Sequence, residues 1–478
     1  MSQSLDFGAI LEGLYPYRRT TQSHRALPGE PLDRAAILAE VTGMASAEDE
    51  MGDRGLVSGS LYSGDHDHYG FLGEVFSLFS HANVLQRDMY PSATKFEGEI
   101  IAMTSDLLHG TGVGVITSGG SESLITALYA YREKARETRG VTAPNVVLPR
   151  TAHVALEKGA HWMNIEVRHA PLTDAYVADV AAMADLVDDN TIALVGSAAN
   201  YAHGLIDPIE EIAALAQERG IGMHVDGCLG GWLLPWVERL GYAVPLWDFR
   251  VPGVTSISAD THKYGYALKG SSVLLYRDKD LRRHQYFTSS DWPGGLYISP
   301  GLAGSRSGGL IASTWAALLA TGESGYLAAA DDIMRTAVAI RDGIRERIPQ
   351  LEVIGDPTFL IAVKAAGDPQ DPQDPNGLDM YLVNDALIEQ GWRMNALQLP
   401  PALHFCVTRP NTADGVAESF VGALEKAVAY AVAHRGEPAS SGALYGFGGQ
   451  PQGQQTLQVL MSGYLDAMHE VAPDLPAV

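Results

Sequence analysis

Between residues 112 and 276, short β-branched runs alternate with helical stretches, and this alternation constrains the fold more than any other feature. The strand-like runs are GVGVITSGG, NVVLPR, IEVRHA, TIALVGSAA, GMHVDG, SISAD and SSVLLYR, and the periodic stretch SESLITALYAYREKARE follows the first of them. Parallel strands need long crossovers, and runs that stay apolar suit strands covered on both faces. The pattern predicts an α/β fold with a mainly parallel central sheet. After about residue 310 the pattern changes. LIASTWAALLATGESGYLAAADDIMRTAVAIRDGIRERI reads as a long helical region broken near Gly322 to Gly325. LEVIG, FLIAVKA and ALHFCVT read as antiparallel strands between the helices LDMYLVNDALIEQG and VAESFVGALEKAVAYAVAH, which predicts a smaller α+β unit. The expected organisation is an N-terminal segment (1–95), a large domain (96–320) and a small C-terminal domain (321–478).

Outside these units the signals are local. PLDRAAILAEVTGMASAED has helical spacing with Asp33 in its opening turn, and a second helix is expected from about Pro91, with Phe96, Ile100, Ile101 and Leu107 at helix-like intervals. GLVSGSLYSGDHDHYG and GDPQDPQDPNG read as loops. The last forty residues read as loop until a helix around LQVLMSGYLDAMHEV.

Charge and cysteine content exclude several functions. With 33 Lys and Arg against 57 Asp and Glu, the net charge of −24 argues against nucleic acid as a partner and serves solubility. Cys228 and Cys406 lie far apart with no CxxC spacing, so neither a disulfide framework nor a metal site is expected. No basic region followed by an apolar one opens the chain, and no run reaches the roughly 18 apolar residues of a membrane span. A cytoplasmic protein without a transmembrane segment is expected.

Three stretches carry chemistry. ITSGGSES sets glycines between a strand and a helix, where backbone N–H groups and the helix dipole can hold an anion; a plain structural turn is an equal reading. The spacing is neither a dinucleotide fingerprint nor a P-loop. MHVDGCLGG ends a strand on Asp226, at the edge where α/β sheets bind ligands; the carboxylate can bind a metal, pair with a cation or cap a helix. SISADTHKYGYALKGSSVLLY puts Asp260, His262, Lys263 and Lys269 beside an apolar strand, although lysine is almost never buried unless paired. A lysine for a Schiff base, an acid for a pyridinium nitrogen and a phosphate cradle are together what pyridoxal 5'-phosphate requires, and His153 in PRTAHVALEKGA can stack on such a ring.

These stretches, with TSSDWPGGLYISPGLAGSRSGG and a Tyr445–Gly446 pair before the last helix, resemble the group II pyridoxal-phosphate decarboxylase superfamily of aminotransferase fold type I. The DWPGG…SP…GSR block and ADTHKYG are most similar to the sphingosine-1-phosphate lyase family. The resemblance implies Lys263 as the Schiff-base lysine, Asp226 on the pyridine nitrogen and His153 on the ring face. It implies Gly119, Gly120, Ser121 and His262 on the phosphate, and Gly304 and Ser305 reaching the phosphate of a neighbouring subunit. Tyr62 and Tyr201 would handle protons; Asn83, Gln86 and Lys269 would face the substrate, and Cys228 would be a small filler. The implied activity is retro-aldol cleavage of a phosphorylated sphingoid base, by a homodimer with its active site at the interface. Amino-acid decarboxylation is the rival. Gln86 departs from the family's histidine (NVLQRD for a pattern like NPLHPD) and carries neither proton nor charge. Arg87 beside it is a candidate to restore positive charge.

Overall fold

The computed structural model describes residues 13–368, 371, 374, 376–440 and 451–471. Its centre is a seven-stranded sheet in the order β1-β7-β6-β5-β4-β2-β3. The strands are β1 (Gly114–Thr117), β2 (Asn145–Pro149), β3 (Glu166–Ala170), β4 (Thr191–Ser197), β5 (Gly222–Asp226), β6 (Ser256–Ala259) and β7 (Ser272–Tyr276). Both sides are covered, which is why β1, β2, β4, β5, β6 and β7 are buried almost throughout.

The pairings among β2 to β6 are parallel, and β7 runs antiparallel to both β6 and β1. The reversal follows from the connection: residues 260–271 between β6 and β7 contain no crossover helix, so the chain turns back. Because β1 and β6 both oppose β7, they point the same way as β2, β4 and β5. The carboxyl ends of β1, β2, β4, β5 and β6 therefore open at one edge.

A hairpin, β8 (Phe287–Ser289) with β9 (Tyr297–Ser299), follows. Next comes the long helix Gly308–Arg347, kinked at Gly322, whose φ of 58° suits glycine. A four-stranded antiparallel sheet closes the fold in the order β10-β11-β13-β12, formed by β10 (Leu351–Val353), β11 (Leu360–Ala365), β12 (Asn395–Gln398) and β13 (Pro401–Cys406). The helices Met380–Glu389 and Val416–Ala433 pack with it around Trp392, Phe405 and Phe420.

Four expectations need correction. The stretch taken as a loop over 55–70 already contains a helix: Asp65 accepts from His68 N at 3.0 Å and starts His66–Leu78. Asp33 caps its helix rather than lying inside it, accepting from Ala36 N. The last helix begins at Pro451, several residues earlier than the apolar spacing indicated. Strands β8, β9 and β12 were not foreseen, being too short to show a period. Residues 369–370, 372–373 and 375 of the Pro/Asp cluster, and Tyr445 and Gly446, lie outside the described residues.

Candidate active site

Four loops leaving the shared sheet edge, after β1, β2, β5 and β6, build a cavity of about 330 Å³. After β1 the chain turns at Gly119 and enters the helix Gly120–Arg139; Glu122 accepts from Ser118 N at 2.7 Å and fixes the turn. A Cβ on Gly120 would stand 2.8 Å from Asp260 Oδ2 and 2.9 Å from Cys228 Sγ, so only glycine lets these loops meet. The loop after β2 brings His153, whose Nδ1 accepts from Ala155 N at 3.1 Å, leaving the Nε2 proton outward. The loop after β6 brings Asp260, His262 and Lys263 to the same cavity. His262 Nδ1 accepts from Ser271 N at 3.3 Å, so its Nε2 also carries the proton. A Cβ on Gly119 would be 3.3 Å from the His262 ring, which sets that ring against the glycine turn.

Lys263 has an ion-pair partner. Its Nζ lies 2.9 Å from Asp260 Oδ2, with His262 Nε2 3.6 Å from the same oxygen. Burial alone would push the ammonium pKa down; the Asp260 carboxylate overrides this and holds it above the usual lysine value. Asp260 Oδ1 is buried without a hydrogen-bond partner. Asp260 is the site residue that sequence reasoning passed over. It stands three residues before Lys263, and the reach of one helical turn was the available signal.

Asp226 ends β5 beside Ser258 of β6. Its Oδ1 accepts from Cys228 N at 3.0 Å and lies 3.5 Å from Ser258 Oγ; Oδ2 has no hydrogen bond among the described residues. Cys228 lines the cavity, and its thiol is held well above the usual range by burial and then by Asp226 and Asp260, so it stays protonated.

The two tyrosines arrive by different routes. Tyr201 follows β4 and stands half-exposed, edge-on to His153 at 6.3 Å and to His404 at 4.9 Å. His404 is a neighbour with no local sequence signal, since β13 lies two hundred residues further on. Tyr62 sits in a segment stitched to β13: Gly59 N donates to Cys406 O, and Ser58 Oγ joins His404 O and Cys406 N. Lys269 Nζ stands 4.7 Å over the Tyr62 ring and donates to Ser60 O at 3.0 Å. Burial, then the neighbouring Lys263 charge, lowers Lys269 to about 8. Burial pushes Tyr62 up, so it keeps its proton.

Asn83, Gln86, Gly304 and Ser305 form a second group. Asn83 Nδ2 donates to Ser305 Oγ at 2.9 Å, and Asn83 bridges to Ser307. Gly304 lines a separate cavity of about 360 Å³ with Arg87, and Gln86 is exposed. Arg87 does not replace the missing family charge: its guanidinium pairs with the buried Glu97, which Arg306 also grips at 2.6 Å. Among the described residues no cluster able to hold a metal ion is present.

The family model for the pyridoxal-dependent decarboxylase conserved domain matches residues 58–362. A Dictyostelium discoideum sphingosine-1-phosphate lyase is 38% identical over 95% of this chain and 83% of its own. A Drosophila melanogaster sphingosine-1-phosphate lyase is 42% identical over 82% of this chain and 71% of its own. A solved Burkholderia pseudomallei sphingosine-1-phosphate lyase superposes with a TM-score of 0.87 at 46% identity, covering 95% of this chain and 99% of that one. The chain belongs to the sphingosine-1-phosphate lyase family. A Lactobacillus brevis glutamate decarboxylase, 21% identical with a TM-score of 0.73, shares the fold only.

For a member of this lyase family, the donor set fits pyridoxal 5'-phosphate. The free Asp226 Oδ2 suits a ring N–H, and Lys263 Nζ lines the same cavity as the glycine turn. The helix start offers N–H groups with no intrahelical acceptor. The His262 Nε2 proton adds a donor beside them.

Proposed function

We propose that this protein is a pyridoxal-phosphate-dependent aldehyde-lyase that splits a phosphorylated sphingoid base into a long-chain aldehyde and phosphoethanolamine. The observation that carries this is the convergence of Lys263, His262, His153 and the Gly119–Ser121 turn on one cavity, with Asp226 beside it, in a chain 46% identical to a solved sphingosine-1-phosphate lyase. When bound, the cofactor supplies an electron sink for the pair released as the carbon–carbon bond breaks.

The chain's own groups bind, orient and move protons. Gly119, Gly120, Ser121 and His262 would hold the phosphate, His153 would stand by the ring, and Lys263 would be the amine that joins the cofactor. Tyr201, half-exposed, would relay the proton of the substrate's 3-hydroxyl to solvent, giving up its own as it takes that one, as the bond to the amine-bearing carbon breaks. Tyr62, which keeps its proton, would be the donor that returns one to the amine-bearing carbon. Lys269 faces the substrate phosphate. Asn83, Gln86, Gly304 and Ser305 complete the site of a second subunit in a homodimer. The exposed Phe287, Trp292, Leu296 and Ile298 on and beside the β8–β9 hairpin support such an interface. Two buried free cysteines fit a reducing cytoplasm.

The test is a titration of purified protein with pyridoxal 5'-phosphate. A visible Schiff-base band in the wild type that is lost in Lys263→Ala is the expected result. No band at saturating cofactor would refute the proposal.

A further inference from the structure

A chain of buried hydrogen bonds runs behind the cavity, away from it and through the sheet. Residues 224, 226, 256 and 258 share one face, because His224 pairs with Ser256 and Asp226 with Ser258 in the β5–β6 register. Tyr131 OH lies 2.7 Å from Thr255 Oγ1 and 2.5 Å from Ser256 Oγ. Ser256 Oγ is 2.8 Å from His224 Nδ1, and His224 Nε2 is 3.3 Å from Ser258 Oγ. Ser258 Oγ is 3.5 Å from Asp226 Oδ1 and also receives the Cys228 thiol at 3.2 Å.

Counting protons gives the chain a direction. Ser258 has one O–H and two lone pairs. With the Cys228 S–H and the His224 Nε2–H filling both lone pairs, its single proton is left for Asp226. His224 then accepts at Nδ1 from Ser256, which in turn accepts from Tyr131. In this arrangement each link from Tyr131 through Ser256, His224 and Ser258 to Asp226 has one donor and one acceptor, and His224 is neutral in it. His224, Ser256 and Ser258 are all at most 1% exposed, so no solvent competes. Burial holds His224 down to about 4, consistent with a neutral ring.

We infer that Ser258 and His224 are positioning residues that deliver a directed hydrogen bond to Asp226 Oδ1, keeping its Oδ2 aimed at the cofactor's ring nitrogen. The inference rests on the cofactor reading above. An oriented Oδ2 rewards only a ring that offers it an N–H. The benefit is therefore confined to a cofactor that has that nitrogen.

The test compares pyridoxal 5'-phosphate with 1-deazapyridoxal 5'-phosphate, in which a C–H replaces the ring nitrogen. Dissociation constants are measured by absorbance titration on wild type, Ser258→Ala and His224→Leu. The expected result is about tenfold weaker binding of the natural cofactor by each variant, the scale of one hydrogen bond to a charged group. For the deaza analogue the wild-type-to-variant ratio should fall to about one. Equal weakening for both cofactors would mean a merely structural role and overturn the inference, as would unchanged binding of the natural cofactor. If wild type itself forms no Lys263-dependent band with either cofactor, the cofactor reading fails and this inference fails with it.

Discussion

Replacing Asp260 by asparagine isolates the charge that holds the proton on Lys263. At 2.9 Å, two unit charges with an effective dielectric of about 20 attract by roughly 6 kcal/mol, an upper scale for about four pKa units. Part of that is offset, because the amide still accepts a hydrogen bond and the lysine side chain keeps 24% exposure. What remains in Asp260→Asn is the desolvation that already pushes the ammonium down. The amine of the variant should lose its proton at least one unit below that of the wild type. Only the neutral amine reacts, so at pH 8 each unit gives about tenfold faster reaction. Trace acetylation of Lys263 in cofactor-free protein, followed against pH by peptide mass spectrometry, reads this directly and involves no phosphate. An unchanged or raised midpoint in the variant would show that Asp260 does not hold the proton, and the account of this pair would be wrong.

Two further outcomes follow from other buried groups. Burial lowers His203, His224 and His404 to about 4, from near 6.5 when unfolded. Between those values the unfolded chain binds the extra proton, so stability falls as pH drops from 6.5 to 4. Asp207, raised to about 6 by burial, acts in the opposite sense over much of that window. About two histidine equivalents remain, or up to roughly 3 kcal/mol lost per pH unit. Urea midpoints at pH 7, 5.5 and 4.5 check this; a flat series contradicts it. Lys269, charged below about 8, should hold the substrate phosphate best at neutral pH. Lys269→Gln should raise KM for a phosphorylated substrate about tenfold at pH 7, the scale of one bond to a charged group, with kcat nearly unchanged. Wild-type KM should climb above pH 8, and the variant's should not.

Much of the fold was legible because its strands are long and fully covered, as in TIALVGS and SVLLY, and its crossover helices are strongly periodic. What escaped was set by partners distant in sequence. The direction of β7 depends on the absence of a helix in 260–271, and β12 has four residues with no period of their own. Within the site, Lys263, His262, His153 and the glycine turn were legible because each sits at a strand end, where ligands bind. Asp260 was in plain view, but its role depends on a side-chain contact that composition does not show. Arg87 read as a stand-in for the charge lost at Gln86 until Glu97, buried under it, accounted for that charge. His404, beside Tyr201, could not be read at all, because only the docking of the second sheet brings β13 to Tyr201.

The central claim is carbon–carbon cleavage of a phosphorylated sphingoid base. Purified protein with pyridoxal 5'-phosphate and dihydrosphingosine 1-phosphate should yield long-chain aldehyde and phosphoethanolamine in equal amounts by mass spectrometry, and Lys263→Ala should yield neither. Release of CO₂ from an amino acid, with no aldehyde from the sphingoid base, would contradict the claim.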